Sequence, residues 1–248
     1  MFFEKRNNLW IGRFAGLFGD SRLMHAFSTR GGGVSRGCYA SLNLGENTGD
    51  VFLHVEENRR RFFNETGVTA PDLVIPEQVH GGRVMHVQSG GRVPECDGVI
   101  TGRKDVVLSV QVADCVPVFL RDPVRKVVGL IHAGRAGTEQ HIVRNAVRLM
   151  ISDFRSDPSD MLAFLGPSIG PFCYEVSREM ASCFPGRYVS GRYLDLWRYN
   201  ADQLMASGLK KSRIESSRLC TACHPEWFFS HRAGGGRTGR MMAVLAIR

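Results

Sequence analysis

Two apolar, β-branched runs, Val116–Leu120 and Val127–Ile131, constrain the fold of this chain more than any other feature. Between them lies Arg121-Asp122-Pro123-Val124-Arg125-Lys126, a polar segment with proline that reads as a turn. The pair therefore predicts an antiparallel hairpin. A symmetric register pairs Leu120 with Val127 and Val116 with Ile131, and then sets Cys115 opposite His132. Residues directly opposite share one face, with Cβ atoms about 4.5–5.5 Å apart. A slip of one residue would turn every side chain over. A thiol facing an imidazole at a strand end fits a nucleophile–base dyad or two ligands of one metal. His80, in Gln78-Val79-His80-Gly81, supplies a further imidazole that can complete a His–Cys–His zinc site.

The rest of the chain predicts hairpins with a few interleaved helices. Strands are expected at Leu23–Ser28, Arg83–Val87, Val106–Val112, Met161–Leu165, Phe172–Val176 and Met241–Ile247. A helix is expected from Asp50 as its cap to about Thr66, with Gly67 as its stop. A second runs from about Gly137 to Phe154, with Ile142, Val143, Ala146, Val147 and Met150 as its apolar stripe. That spacing turns His141 toward solvent. Ser177 and Asp195 each read as caps of short helices, the latter ended by Gly208. The order is not a regular βαβ alternation, so the expected fold class is α+β with mixed or antiparallel sheets.

Composition narrows the function classes. At 248 residues, 43% of them apolar, the chain fits one large domain or two small ones and can bury a core. No apolar stretch has the length of a membrane span, and Met1–Asn8 lacks the apolar core of a signal peptide. Seven scattered cysteines argue against a disulfide framework and for a reducing cytoplasm. The net charge of +8 comes mostly from arginine, which suits phosphate and carboxylate recognition. No basic run exceeds Arg59-Arg60-Arg61, and no nucleic-acid motif is visible, so neither nucleic acid nor membrane is an expected partner. Cys220-Thr221-Ala222-Cys223 has half the spacing of a zinc ribbon or redox pair but no second half, which favours structural cysteines.

Several stretches together resemble one known family. They include Phe27-Ser28-Thr29-Arg30 with Gly32-Gly33-Val34-Ser35, Ser41-Leu42-Asn43-Leu44-Gly45, Gln78-Val79-His80-Gly81, Ala113-Asp114-Cys115-Val116-Pro117 and His132-Ala133-Gly134. Gly166-Pro167-Ser168-Ile169-Gly170, Tyr174-Glu175-Val176, Cys220-Thr221 and Phe228-Phe229-Ser230 continue the match in order, to near the end of the chain. On these residues the sequence is similar to the YfiH family, also called laccase-domain or polyphenol-oxidase-like proteins.

The resemblance implies a single α+β domain over 1–248, of packed sheets flanked by helices, with 1–20 a peripheral N-terminal segment. It implies a zinc site at His80, Cys115 and His132. It also implies phosphorolysis of adenosine, inosine or methylthioadenosine, with deamination of adenosine as a second activity. An amidase editing peptidoglycan precursors is one alternative, built on Cys115 and His132. A copper-dependent phenol oxidase is another, which the eight histidines, none in a His-x-His pair, do not favour. A non-enzymatic basic binding protein is a third.

Phosphorolysis calls for cationic donors to phosphate and a polar grip on the base. Arg30, Arg59 and the Arg237/Arg240 segment are candidates for the first, and Asn43 and Gln78 for the second. Asp114 is the nearest carboxylate for proton transfer, although strand alternation turns it away from Cys115 and it can equally hold the loop. One departure from the family pattern stands out. Arg135, Ala136 and Gly137 follow His-Ala-Gly where the family usually has tryptophan, arginine and glycine, which leaves the zinc ligands intact and puts a substrate contact in doubt. His231-Arg232-Ala233 likewise alters the usual arginine pair.

Overall fold

A computed structural model describes residues 1–248. Fifteen strands and six α-helices build two stacked sheets with helices on both outer faces. The first sheet holds β1 (Phe2–Arg6), β2 (Leu9–Arg13), β3 (Leu23–Ser28), β4 (Leu73–Pro76), β6 (Gly91–Val93), β8 (Val107–Val112) and β15 (Met241–Ile247), in the order β1-β2-β3-β15-β8-β4-β6. The second holds β5 (Val84–His86), β7 (Gly98–Thr101), β9 (Val116–Asp122), β10 (Val127–Ala133), β11 (Leu162–Leu165) and β14 (Ile214–Ser216), in the order β14-β11-β9-β10-β7-β5. A two-residue hairpin, β12 (Val189–Ser190) and β13 (Tyr193–Leu194), stands apart. Antiparallel pairs dominate, with parallel pairs at β4–β6, β4–β8, β5–β7 and β11–β14. The fold is α+β, as the lack of a regular βαβ alternation predicts.

Strand alternation explains the layers. In β15, Met241, Ala243 and Leu245 enter the core between the sheets, where they meet Phe119, Leu130 and Phe164. Met242, Val244 and Ala246 face the other way, onto Phe62 of α2 (Phe52–Thr66). In the second sheet Val116, Val118, Leu120 and Ile131 cover α4 (Ile142–Phe154), whose stripe Ile142, Val143, Ala146, Val147 and Met150 is buried as its spacing predicts. α6 (Leu196–Ala206) closes that layer, capped by the Asp195 carboxylate as expected. α1 (Ala15–Phe18) and α5 (Arg178–Ser182) are single turns, and the Ser177 hydroxyl caps α5.

The central hairpin forms, but its register differs by two residues. Val127 pairs with Asp122 and His132 with Pro117. The turn is shorter than the polar segment because the Asp122 carboxylate accepts the N–H groups of Val124 and Arg125 at 2.8 and 2.9 Å. Arg121 stays buried in the strand by pairing with Asp20. Because the shift is even, no side chain changes face.

Other expectations are corrected locally. The helix expected from Gly137 is two, α3 (Arg135–Glu139) and α4, broken at His141, which is left-handed at φ 59°. His141 is half-buried against Tyr199, not turned to solvent. At the break, the Gln140 side chain accepts the Gly82 N–H and Asn145 donates to the Gly82 carbonyl, both at 2.9 Å, so the break fastens the loop after His80. Phe172–Val176 is a turn, since Cys173 and Tyr174 both donate N–H bonds to the Gly170 carbonyl. Asp50 does not cap α2; it accepts from Asn43 and from the Val51 N–H one position outside the helix. Residues 1–20 supply two strands of the first sheet and bury Leu9, Ile11, Phe14 and Leu17, so they are part of the fold and not peripheral to it. No helix is long and apolar enough to cross a membrane.

Candidate metal centre and its cleft

His80, Cys115 and His132 come from three separate segments. His132 is the last residue but one of β10, Cys115 immediately precedes β9, and His80 sits on the loop between β4 and β5. Their donor atoms lie within 4.8 Å of one another. The two imidazoles meet edge to face with ring centres 4.8 Å apart. His132 is buried, Cys115 half-buried and His80 exposed.

Asp97 holds this arrangement, and no sequence reading found it. It is fully buried, just before β7. Its carboxylate accepts from the His132 Nδ1–H at 2.7 Å, which leaves Nε2 as the free ligand atom. The same carboxylate accepts the backbone N–H groups of Val79, His80 and Gly81 at 3.1, 2.9 and 2.8 Å. His80 is left-handed at φ 60°, a conformation that costs about 1 kcal/mol or more for a residue with a Cβ. Three charge-assisted bonds in a row offset that cost. One carboxylate thus fixes one histidine by its ring and the other by its backbone. Its partners lie 16 to 35 positions away, so no local pattern announces it.

The electrostatics suit a bound cation. Burial pushes the Cys115 thiol up, but the charge of His132 and hydrogen bonds to both imidazoles outweigh it and bring the thiol down to about 6. Burial also opposes charge on His132, yet the Cys115 thiolate and Asp97 raise it to about 9. Burial disfavours the Asp97 carboxylate too, and its His132 and backbone partners hold it below the ordinary range.

Gly134 leaves the space on which the donors converge. A Cβ there would lie 3.0 Å from Cys115 Sγ, 3.3 Å from His80 Cδ2 and 3.8 Å from His132 Cε1. Its φ of −75° is open to any residue, so the glycine is required by space and not by backbone. Two imidazoles, one thiol and a carboxylate behind one imidazole fit a three-ligand metal site with one open position.

Residues 24–248 match the family model described as multi-copper polyphenol oxidoreductase laccase. The chain belongs to this laccase-like YfiH/YlmD family. It is 38% identical over 243 residues to the purine nucleoside phosphorylase YlmD of Geobacillus stearothermophilus, covering 89% of each chain. It is 34% identical over 250 residues to the purine nucleoside phosphorylase YlmD of Bacillus subtilis, covering 92% of this chain and 90% of that one. The crystal structure of the hypothetical protein YfiH from Bacillus licheniformis superimposes with a TM-score of 0.91 at 30% identity, over 99% of both chains.

In this laccase-like chain the three donors sit in a cleft of about 780 Å³, within the range of small-molecule sites. Arg92, Arg135, Arg232 and Arg240 line it together with Gln78 and Tyr174. The Arg232 guanidinium packs 5.3 Å from the Tyr174 ring centre. Arg135, at the position that departs from the family pattern, reaches the cleft and pairs with Glu139 at 3.2 Å.

Of the residues proposed from sequence for substrate contact, Gln78 reaches the cleft, but both ends of its amide grip the Gln111 backbone at 2.8 Å. Arg240 lines the cleft as well and Arg237 does not, while Arg30, Arg59 and Asn43 lie behind the wall. Arg30 donates to the carbonyls of Ala40 and Pro225 and covers the Phe229 ring. Arg59 donates to the Leu44 carbonyl and pairs with Glu46. Asn43 is fully buried and accepts the N–H groups of Gly45 and Arg240. Asp114 holds loops: its carboxylate accepts the Thr221 hydroxyl at 2.6 Å and the Arg232 N–H at 2.7 Å. Of the cationic rim, the sequence offered Arg240 for phosphate and marked Arg135 and Arg232 only as departures from the family pattern, while Arg92, on a separate strand, carries no signal.

Proposed function

We propose that this protein is a zinc-dependent purine nucleoside enzyme, which cleaves adenosine, inosine or methylthioadenosine with phosphate and also deaminates adenosine. One observation carries the reading: a two-imidazole, one-thiol centre floors a cleft rimmed by four guanidinium groups. The names of the two YlmD relatives support its phosphorolytic part.

In phosphorolysis the C1′–N9 bond of the nucleoside breaks, a phosphate oxygen bonds to C1′, and the base departs with a proton. Arg135, Arg232 and Arg240 are the donors for phosphate, since planar guanidinium groups match its oxygens. The Tyr174 ring, with Arg232 packed on it, gives a flat wall for the base. Asp97 keeps His132 in the tautomer that presents Nε2. His80, Cys115 and His132 would hold zinc, and bound zinc supplies Lewis acidity at its open position. Deamination needs a different attack in the same cleft: water adds at C6 of the adenine ring, the C6–N bond breaks and ammonia leaves, giving inosine. The test is adenosine turnover by metal-analysed protein with and without phosphate. Phosphate-dependent adenine and ribose 1-phosphate, abolished in Cys115→Ala, is the expected result; inosine without phosphate reports deamination.

A second reading has a specific observation behind it. Cys115, His132 and Asp97 also stand in the order of nucleophile, base and orienting carboxylate. A hydrolase of amides, including peptidoglycan precursors, would keep its activity in chelator and label covalently at Cys115. Full inhibition by chelator without labelling removes it. Multicopper phenol oxidation does not fit the donors, because His80, Cys115 and His132 make one mononuclear set and the other donor cluster is all thiol.

A further inference from the structure

Behind the cleft, three cysteines converge from two loops. One loop runs from Gly166, after β11, to Val176, and the other from Ser217, after β14, to His224. They are laced in register: the Ser168 N–H donates to the Leu219 carbonyl and the Thr221 N–H to the Ser168 carbonyl, both at 3.1 Å. The Gly170 N–H then points at Cys220 Sγ at 3.2 Å. The turn through Cys220-Thr221-Ala222-Cys223 brings Cys223 back, so that its Sγ lies 3.3 Å from Cys173 Sγ. All three sulfurs lie within 4.8 Å of one another. Gly170 makes the approach possible, since a Cβ there would press within 3.2 Å of Cys220 Cβ and 3.0 Å of the Trp197 ring. The sequence shows only two of these three cysteines together, because Cys173 is about fifty residues from its partners.

We propose that Cys173, Cys220 and Cys223 form a second metal site, a trithiolate centre for Zn²⁺ distinct from the centre at His80, Cys115 and His132. A Cys-x-x-Cys turn with a third thiol from a neighbouring loop supplies three of the four ligands that zinc takes in its Cys-rich sites. Zinc–sulfur bonds of about 2.3 Å set thiolates about 3.8 Å apart, close to the spacing already present. The N–H from Gly170 stabilises a thiolate sulfur, as outer partners of ligands do. Binding converts three thiols and Zn²⁺ into a trithiolate complex and releases three protons, with no change in oxidation state. The fourth position faces solvent beside Cys223, which is exposed. The ion would staple the loop that carries Tyr174, a cleft residue, to the loop whose Thr221 holds Asp114 beside Cys115.

Zinc content of the full chain, prepared with reductant and equilibrated with ZnCl₂ before gel filtration, tests the site. Cys115→Ala should retain one equivalent, and Cys115→Ala with Cys220→Ser should retain none. Zinc-free Cys115→Ala overturns the proposal. Failure of the first centre reads differently, as wild type carrying no more zinc than Cys115→Ala. A second measurement on the wild type needs no variant to fold. Iodoacetamide should label Cys38 and Cys183, which are exposed, while Cys223 resists until a chelator is added. Prompt labelling of Cys223, or protection released by reductant and not by chelator, means free thiols or a Cys173–Cys223 disulfide and rejects the zinc site.

Discussion

His132 donates its Nδ1–H to Asp97 Oδ1 at 2.7 Å, and through this one carboxylate the buried imidazole is coupled to the exposed loop of His80. Asp97→Asn keeps the shape but leaves a single acceptor oxygen for four donors and turns an amide N–H toward others. Metal retention against a competing chelator should fall 10–100-fold, and the unfolding free energy by about 1–3 kcal/mol. Unchanged retention would show that Asp97 braces the loop without tuning the ligands.

Gly134→Ala separates space from backbone. The φ of −75° accepts alanine, so the added methyl acts only by pressing on Cys115 and His80. The variant should fold with a melting temperature within a few degrees of wild type and bind less than a tenth of the metal. Full metal occupancy, by elemental analysis of the folded variant, would place the ion away from this space.

Arg30 and Arg135 should part company. Arg30 is committed to two carbonyls and the Phe229 ring, so Arg30→Lys should cost about 1–2 kcal/mol in a denaturant melt and leave the KM for phosphate alone. Arg135→Ala should raise that KM about tenfold, the loss of one charge-assisted contact, and leave the melt nearly unchanged. A phosphate KM that responds to Arg30 and not to Arg135 reverses the assignment.

His25 should make stability depend on pH. It is buried, and its Nε2 accepts the Phe14 N–H at 2.9 Å. Burial, with help from the Arg13 charge, pushes it down to about 3. The unfolded chain carries a histidine of ordinary pKa, about 6.5, so below that pH it takes up a proton the folded state refuses. The contribution of His25 is whole above about pH 6.5 and is lost as pH falls toward 3, by at most about 1.4 kcal/mol per pH unit. His25→Gln keeps an acceptor that does not titrate. The difference in unfolding free energy should therefore move against the wild type between pH 7 and 4, and a pH-independent difference sinks the idea.

Sequence brought His80, Cys115 and His132 together and found the layers, and found only part of the cleft's walls, for physical reasons. The β-branched runs located β9 and β10 because a strand buried on both faces must be apolar throughout. Their register came out two residues off because Arg121 and Asp122 look like turn residues while one pairs with Asp20 and the other caps the turn. Cys115 and His132 kept their common face because the error was even. Asp97 was invisible, since a carboxylate that works through distant backbone leaves no periodicity. Arg30, Arg59 and Asn43 stood out for the opposite reason: polar residues beside a glycine-rich loop look ready for ligand, and only the fold shows their groups engaged by carbonyls, Glu46 and the N–H of Arg240.

β15 lies between β3 and β8, yet it is synthesised after both. Until residues 241–247 leave the ribosome, those two strands present open edges to every other nascent chain nearby. Translation can thus finish most of this polypeptide before its larger sheet can close. For about 220 residues after β3 is made, the strand that β3 and β8 share does not yet exist to pair with either.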